Sequence, residues 1–377
     1  MAGSSHQTPC PPHVYVHVPF CARRCSYCDF SIAVRRKVPA SRFHDAIKAE
    51  LVTRGISPAQ GALGSVYLGG GTPSKLGAAV GDITKLISTV SGRPLAELGE
   101  VTVEANPEDV SPDVVGAWRD AGVNRVSLGA QSFDERVLEW MHRTHAVSAI
   151  GKAVKVLYGE GISNVSLDLI FALPDELNRD WSRDLEQALS LDPKHLSVYG
   201  LTVEPHTPLG RWTDRGRVAG ASEERYETEF LETDRTLGAA GFVHYEVSNY
   251  ARPGFESRHN SAYWSGAHYL GLGPSAHGFD GETRSWNARD YSKWLECVEA
   301  GRDPTEGEET FWPAEIEAER IYLGLRTSRG LLATEHEFAL AEPWVAEGWA
   351  RREGDRLVLT PTGWLRMDSL ATHLATR

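Results

Sequence analysis

Cys21, Cys25 and Cys28 stand in the run CARRCSYC, so three of the chain's five cysteines fall within eight residues. Such packing is not a disulfide framework and has the look of metal ligands. A cubane iron–sulfur cluster normally takes four thiolates, so three in one loop leave one iron open, and an open iron is a place for a ligand. Zinc is the competing reading, with His17 or a distant residue completing the tetrahedron; zinc sites usually pair their cysteines in two knuckles, and the chain has no second knuckle. Asp29 and Phe30 follow the last thiol, and Phe30 occupies the place where one more cysteine could stand. Cys10 and Cys297 read as ordinary thiols.

Groups suited to a charged ligand stand at or near the ends of apolar runs. GGGTPS at 69–74 would let a ligand approach the backbone, because glycine imposes no side chain. Glu104, Gln131 and Asp168 stand at or near the ends of the third, fourth and fifth such runs, and Arg143 lies on the helix after the fourth. One polar residue at a strand end is most often loop solvation. Several converging on the mouth of a βα barrel are better explained by a ligand.

The elements that must position these groups are short β-type runs at 14–20, 65–71, 100–106, 125–131, 164–174 and 195–204. Most are apolar throughout rather than alternating, as parallel strands buried on both faces should be. Helical patterns separate them. Ser41 precedes a face made of Phe43, Ile47 and Leu51; Ser111-Pro112-Asp113 reads as an N-cap with proline at the first helical position; a long helix from about Ser222 carries Tyr226, Phe230 and Leu237. Strand and helix repeated in this way predict an α/β fold, either a βα barrel or a doubly wound sheet.

Near residue 250 the rhythm breaks. Asn249 to Tyr291 is rich in glycine, aromatics and histidine, and an acidic stretch holds Glu306, Glu308 and Glu309. Residues 311–377 are helical in pattern, and DRLVLTPTG has the strand and turn character of a wing. The division expected is a disordered tail over 1–12, the strand–helix body over 13–248, a connecting segment over 249–310 and a winged-helix-like domain over 311–377. The acidic approach to that last domain favours packing or interaction over DNA binding.

Bulk properties narrow the function classes. With 377 residues and 41% hydrophobic content the chain can build a sizeable core, and a net charge of −12 argues against nucleic acid or anionic lipid as its main partner. No apolar run is long enough to span a bilayer, and MAGSSHQTPCPPH lacks the basic and apolar regions of a signal peptide, so the expectation is a cytoplasmic protein.

Taken together, VYVHVPFCARRCSYCDF, GGGTPS, VEANP, RVSLGAQSF and SLDLIFALP resemble the oxygen-independent coproporphyrinogen III oxidase family of radical S-adenosylmethionine enzymes, over nearly the whole chain after the tail. The resemblance implies a partial (βα)6 barrel with a small C-terminal winged-helix-like α domain. It implies a [4Fe-4S] cluster on Cys21, Cys25 and Cys28, with S-adenosylmethionine chelating the open iron through its amino and carboxylate groups. By the same motif matching, the contacts to S-adenosylmethionine fall on Tyr15, Tyr27, Gly70, Gly71, Thr72, Glu104, Gln131, Arg143, Asp168 and Gly200; no catalytic residue is assigned.

That family has two main branches. The catalytic branch oxidatively decarboxylates coproporphyrinogen III, reads C-x3-C-x2-C-x-C and carries a longer N-terminal extension; here Phe30 replaces the fourth cysteine and only twenty residues precede Cys21. Both departures resemble the other branch, the heme chaperones. RHNSAYW at 258–264 fits that branch's pattern H-N-x-x-Y-W and implies heme binding by His259, Asn260, Tyr263 and Trp264. Histidine is a common axial ligand of heme iron and aromatic rings pack against porphyrin faces, although a His-Asn beside aromatics, taken alone, is more often a hydrogen-bonded core histidine. His268 and His277 lie nearby as candidate second ligands.

The resulting expectation is a heme chaperone that carries the cluster, S-adenosylmethionine and heme. It would pass heme to recipient hemoproteins of the respiratory chain, meeting the cytoplasmic membrane face transiently and binding no nucleic acid. Whether S-adenosylmethionine is cleaved on the way does not follow from the residues. A coproporphyrinogen III oxidase is the alternative, and a scaffold with a purely structural cluster is a third reading. No C-x-x-C-H run is present, which disfavours heme attachment of the c-type kind.

Overall fold

The structure, a computed structural model, describes residues 8–376. Its centre is six strands, β1 (His13–Val18), β2 (Leu63–Gly70), β3 (Leu98–Ala105), β4 (Arg125–Gln131), β5 (Asn164–Phe171) and β6 (His195–Gly200), each paired in parallel with the next. An order without reversal, joined by right-handed crossovers, puts every helix on the same side of the sheet. That excludes the doubly wound alternative and makes a partial barrel.

The crossovers hold α1 (Ala40–Thr53), α2 (Val80–Ser91), α3 (Pro112–Asp120), α4 (Glu135–Trp140), α5 (Val147–Gly159) and α6 (Trp181–Ser190). Phe43, Ile47 and Leu51 are buried on α1, and Val14, Val16 and Val18 of β1 belong to the same core. Truncating Ile47 to alanine there would cost about 2–5 kcal/mol. Ser111 occupies the N-cap position of α3 but makes no capping bond through its side chain; the proline at the first turn and the burial of Val115 and Trp118 define that helix instead. Beyond β6 come α7 (Pro208–Asp214) and α8 (Glu223–Ala239), whose N-cap Ser222 accepts from the backbone N–H of Arg225.

The sheet then grows from both ends. β7 (Val243–Glu246) and β8 (Asn249–Ala251) form an antiparallel hairpin beside β6. After α9 (Arg258–Trp264), β9 (Tyr269–Leu272) runs parallel to β1, and β10 (His277–Phe279), β11 (Thr283–Asn287), α10 (Tyr291–Glu299) and β12 (Thr305–Thr310) follow, the strands pairing as an antiparallel meander. The result is one twelve-stranded sheet, ordered β7-β8-β6-β5-β4-β3-β2-β1-β9-β10-β11-β12. The segment expected to be a connection is therefore largely sheet. Its acidic stretch is the exposed edge strand, where charged side chains discourage pairing with another chain.

At the C-terminal end, α11 (Pro313–Leu325), β13 (Leu331–Leu332), α12 (Glu335–Ala346), β14 (Ala350–Glu353), β15 (Arg356–Leu359), α13 (Pro361–Trp364) and α14 (Met367–Ala375) build a helical unit. Its small antiparallel sheet has the order β13-β15-β14, with the β14–β15 hairpin as the wing. The expected tail needs correction at its end: residues 1–7 lie outside the described residues, but Thr8–Pro9 pair in parallel with Ile56–Ser57 and Cys10 is buried. Backbone bonds from Thr8 N to Gly55 O (3.1 Å) and from Cys10 N to Ser57 O (2.9 Å) hold that segment in place. Among the described residues no helix is long and apolar enough to cross a membrane.

Candidate functional site

The loop leaving β1 carries Cys21, Cys25 and Cys28, and all three line one cavity of about 370 Å³ at the C-terminal ends of the parallel strands. The loop is anchored at several points. Phe20–Cys21 pair with Ala33–Val34, Ser26 N donates to Met141 O (3.1 Å), and Ser26 O accepts from Leu209 N (2.8 Å). The Sγ of Cys21 lies 3.4 Å from the Thr72 hydroxyl, and Arg143 Nη1 donates to the Sγ of Cys25 across 3.6 Å. Burial pushes the Cys28 thiol up to about 11 and raises Cys21 as well. Thiols so placed stay protonated unless a metal drives the proton off, so they are poor free nucleophiles and suitable ligands.

No three His, Cys, Asp or Glu side chains among the described residues are drawn together as a single ion would need. A cubane, with each cysteine on its own iron, does not ask for that convergence. His17, the candidate fourth ligand of a zinc site, is committed elsewhere: its Nε2–H donates to Ser31 O (3.0 Å) and its Nδ1 accepts from the Tyr15 hydroxyl (3.1 Å).

Every residue matched to S-adenosylmethionine lines this cavity except Tyr15. Glu104 accepts from the Tyr67 hydroxyl (2.9 Å) and from Gly70 N (3.0 Å). Burial, with the nearby charge of Asp168 second, lifts its carboxyl to about 7. Burial raises Asp168 too, although Ser127 donates to it (2.9 Å). Two half-buried carboxylates opening on one cavity suit a cationic ligand. Arg143 is fixed by bonds to Asn106 Oδ1 (2.6 Å) and Gly129 O (3.0 Å), and its Nε has no partner among the described residues. Gln131 holds a left-handed backbone (φ 66°), uncommon for a residue with a side chain and a frequent mark of functional strand ends.

The glycine run lines the cavity and serves a second purpose as well. A Cβ on Gly70, whose φ is +110°, would meet the His17 ring at 2.6 Å, and one on Gly71 would meet the Pro19 backbone at 2.7 Å. The missing side chains make room first for β1 and the cysteine loop. Sequence reasoning also missed Arg125, which is 1% exposed, lines the cavity and lies 4.0 Å from Glu100, with no partner for its Nε among the described residues. An arginine opening an otherwise apolar strand was the available signal.

The H-N-x-x-Y-W motif forms α9, which is held against the starts of the strands. Glu100, near the start of β3, accepts from Ser257 Oγ (3.3 Å) and from the backbone N–H groups of Arg258 (3.0 Å) and His259 (3.2 Å). His259 is 1% exposed; Nδ1 pairs with Ser65 Oγ (2.7 Å), Nε2 pairs with the Tyr263 hydroxyl (2.8 Å), and the ring stacks on Tyr67 with centroids 5.0 Å apart. Burial drops its pKa to about 3. In this conformation both ring nitrogens are hydrogen-bonded and the ring lines neither of the two cavities.

The other motif residues part company. Asn260 lines the thiol cavity, whereas Tyr263 and Trp264 line a second cavity of about 390 Å³. Tyr15 belongs to that second cavity as well, its ring between Tyr67 (6.1 Å) and His259 (6.2 Å). His277 lines it too; His268 lines neither and meets Phe279 edge-on at 6.3 Å.

Residues 15–188 match the family described as the radical SAM superfamily. Over 373 residues the chain is 38% identical to the heme chaperone HemW of Mycobacterium tuberculosis (strain CDC 1551 / Oshkosh), covering 97% of this chain and 95% of the relative. It is 35% identical to the heme chaperone HemW of Bacillus subtilis (strain 168), covering 84% of each. Among solved structures it is similar to the coproporphyrinogen III oxidase HemN of Escherichia coli, with a TM-score of 0.80 at 20% identity over 99% of this chain and 92% of that one, a likeness of fold.

Proposed function

Because the chain belongs to the family of the heme chaperone HemW, we propose that it binds heme and passes it to recipient hemoproteins, with a [4Fe-4S] cluster and S-adenosylmethionine held in the thiol cavity. The observation that carries this reading is that three thiols and two half-buried carboxylates open on the same cavity. Cys21, Cys25 and Cys28 would hold three corners of the cluster. The residues present fit the pair: Cys21 and Cys28 need a metal to lose their protons, and Glu104 and Asp168 suit a cation, which a sulfonium provides.

The cluster and S-adenosylmethionine, when bound, supply one-electron chemistry at a sulfonium. What this chain's own residues do is hold and orient. Arg143, pinned to Asn106 and Gly129, keeps its charge beside Cys25, and Glu104 sits between Tyr67 and Gly70 with its position set by both. The recipients we propose are respiratory hemoproteins, met at the cytoplasmic membrane face.

The test is an anaerobic titration of the cluster-reconstituted protein with heme, followed by mixing with an apo-hemoprotein whose spectrum reports arrival of heme. Saturable binding and transfer are the expected results. Absence of saturable binding, or formation of protoporphyrinogen IX from coproporphyrinogen III at catalytic rates, would overturn the chaperone reading.

A further inference from the structure

The histidine of the H-N-x-x-Y-W motif is closed on both sides. His259 Nδ1 pairs with Ser65 and Nε2 with Tyr263, so either nitrogen can meet a metal only after one of those bonds opens. Opening depends on what holds α9 down, and one carboxylate does most of it. Glu100 Oε1 accepts from Ser257 Oγ and His259 N, and Oε2 accepts from Arg258 N. Ser257 is the N-cap and accepts in turn from Asn260 N. A helix of seven residues, Arg258–Trp264, is too short to persist without such ties.

Behind Glu100 stands Arg125. Its side chain is 1% exposed, its Nε lies 4.0 Å from Glu100 Oε2, and that Nε has no hydrogen-bond partner among the described residues. The same side chain lines the thiol cavity together with Glu104 and Asp168. An arginine keeps its charge even when buried, so Arg125 is shared between the carboxylate that ties α9 and the two that open on the cavity. Which side it favours depends on the contents of the cavity. With no cation there, Glu104 and Asp168 draw it inward; a cation beside them offsets that pull and leaves Glu100 as the stronger attraction. A second link runs through Tyr67, whose hydroxyl donates to Glu104 (2.9 Å) and whose ring stacks on His259 with centroids 5.0 Å apart. Asn260, the neighbour of His259, lines the thiol cavity itself.

We propose that α9 is a latch set by the thiol cavity: a cationic ligand beside Glu104 and Asp168 drives Arg125 onto Glu100, loosens the bonds of Glu100 to Ser257, Arg258 and His259, and opens His259 to heme. Arg125 is the positioning residue of this coupling and acts through Glu100. The proposal rests on the heme-binding reading above and supplies its regulation. Only hydrogen bonds and one ion pair change partners. The coupling is reciprocal, so heme held by the opened helix favours the cationic ligand by the same factor.

The test uses full-length, cluster-reconstituted protein under anaerobic conditions with saturating S-adenosylmethionine, with S-adenosylhomocysteine, which lacks the sulfonium charge, or with neither. Amide hydrogen exchange reports the opening of α9, and absorbance reports the rate of heme uptake. S-adenosylmethionine is expected to speed both exchange over residues 258–264 and heme uptake at least fivefold; S-adenosylhomocysteine should speed neither. Arg125→Met should still bind S-adenosylmethionine yet lose both responses, and Arg125→Lys, which keeps the charge, should retain them in reduced form. Should Arg125→Met fail to fold, Glu100→Gln tests the latch from its other side: exchange and uptake should be fast with or without S-adenosylmethionine. Exchange over α9 that ignores S-adenosylmethionine in the parent, or responds equally to S-adenosylhomocysteine, would overturn the latch whatever heme does. Charge-dependent exchange without saturable heme binding would instead remove the heme reading and leave the latch standing.

Discussion

The two cavities have nearly the same volume, about 370 and 390 Å³, yet they are made of different materials. The first gathers three thiols, Glu104, Asp168, Arg125 and Arg143; the second gathers Tyr263, Trp264, Tyr269 and Phe279, with charge only near its edge. Buried charges without full partners are costly, so a fold keeps them where a ligand will complete them. Aromatic walls carry no such cost and can stand open to solvent at one side. The difference teaches that the first cavity offers charge and thiols to a ligand, whereas the second offers chiefly aromatic surface.

The sharpest way to break that contrast is to remove a thiol. Cys21→Ala, Cys25→Ala or Cys28→Ala should abolish the intact four-iron cluster, read as iron and sulfide content, while heme affinity stays within about threefold of the parent. Simultaneous loss of heme binding in folded protein would join heme to the thiol cavity. Next, Glu104→Gln should weaken S-adenosylmethionine by roughly tenfold or more, the scale of a charge-assisted bond of about 1.5–3 kcal/mol, with cluster and heme spectra unchanged. Unchanged affinity for S-adenosylmethionine would place that ligand elsewhere.

His259→Asn is expected to lower stability by about 1–3 kcal/mol in chemical denaturation, because Ser65 and Tyr263 lose a buried partner, and to change the heme spectrum. An unchanged spectrum would take the motif histidine away from the iron. A further effect is one of pH. Glu104 titrates near 7 in the folded protein against an ordinary value of 4.5, so the folded form holds its proton more tightly than the unfolded form does. Glu104 therefore costs stability progressively as pH rises from about 4.5 through 7, by up to about 1.4 kcal/mol per unit, and costs none below that window. Glu104→Gln should flatten this fall in a pH series of melting temperatures, and S-adenosylmethionine should stabilise the parent more strongly above pH 7 than below it.

Much of the first cavity could be read from spacing alone. The three thiols are neighbours along the chain, and the six apolar runs that became β1–β6 announce a barrel whose strand ends must meet, so Glu104, Gln131 and Asp168 could be placed at one mouth before any contact was known. The second cavity could not be read that way. Its walls come from β1, α9, β9, β10, β11 and α11, and nothing local says that residues 269–310 extend the barrel's own sheet past β1.

The same distinction shows at single residues. Tyr15 was assigned to the cofactor by its place in a motif, but its ring packs on Tyr67 and His259 and faces the other cavity. Gly70 and Gly71 line the thiol cavity as expected, and in addition leave room for His17 and Pro19. In both cases the deciding atoms belong to side chains and backbone brought in by strand pairing.

The chain's order of residues determined by itself the metal-ligand loop, the six-fold alternation of strand and helix, and the carboxylates at the strand ends, because each depends on short spacing or on a periodic pattern. Tertiary structure alone decided how the motif histidine is held. His259 is closed by Ser65, 194 residues earlier, while its helix is tethered to Glu100, 159 residues before it. Whether an imidazole nitrogen is open to a ligand depends on which hydrogen-bond partner reaches it first, and partners that far apart in sequence meet only when the sheet has closed around them.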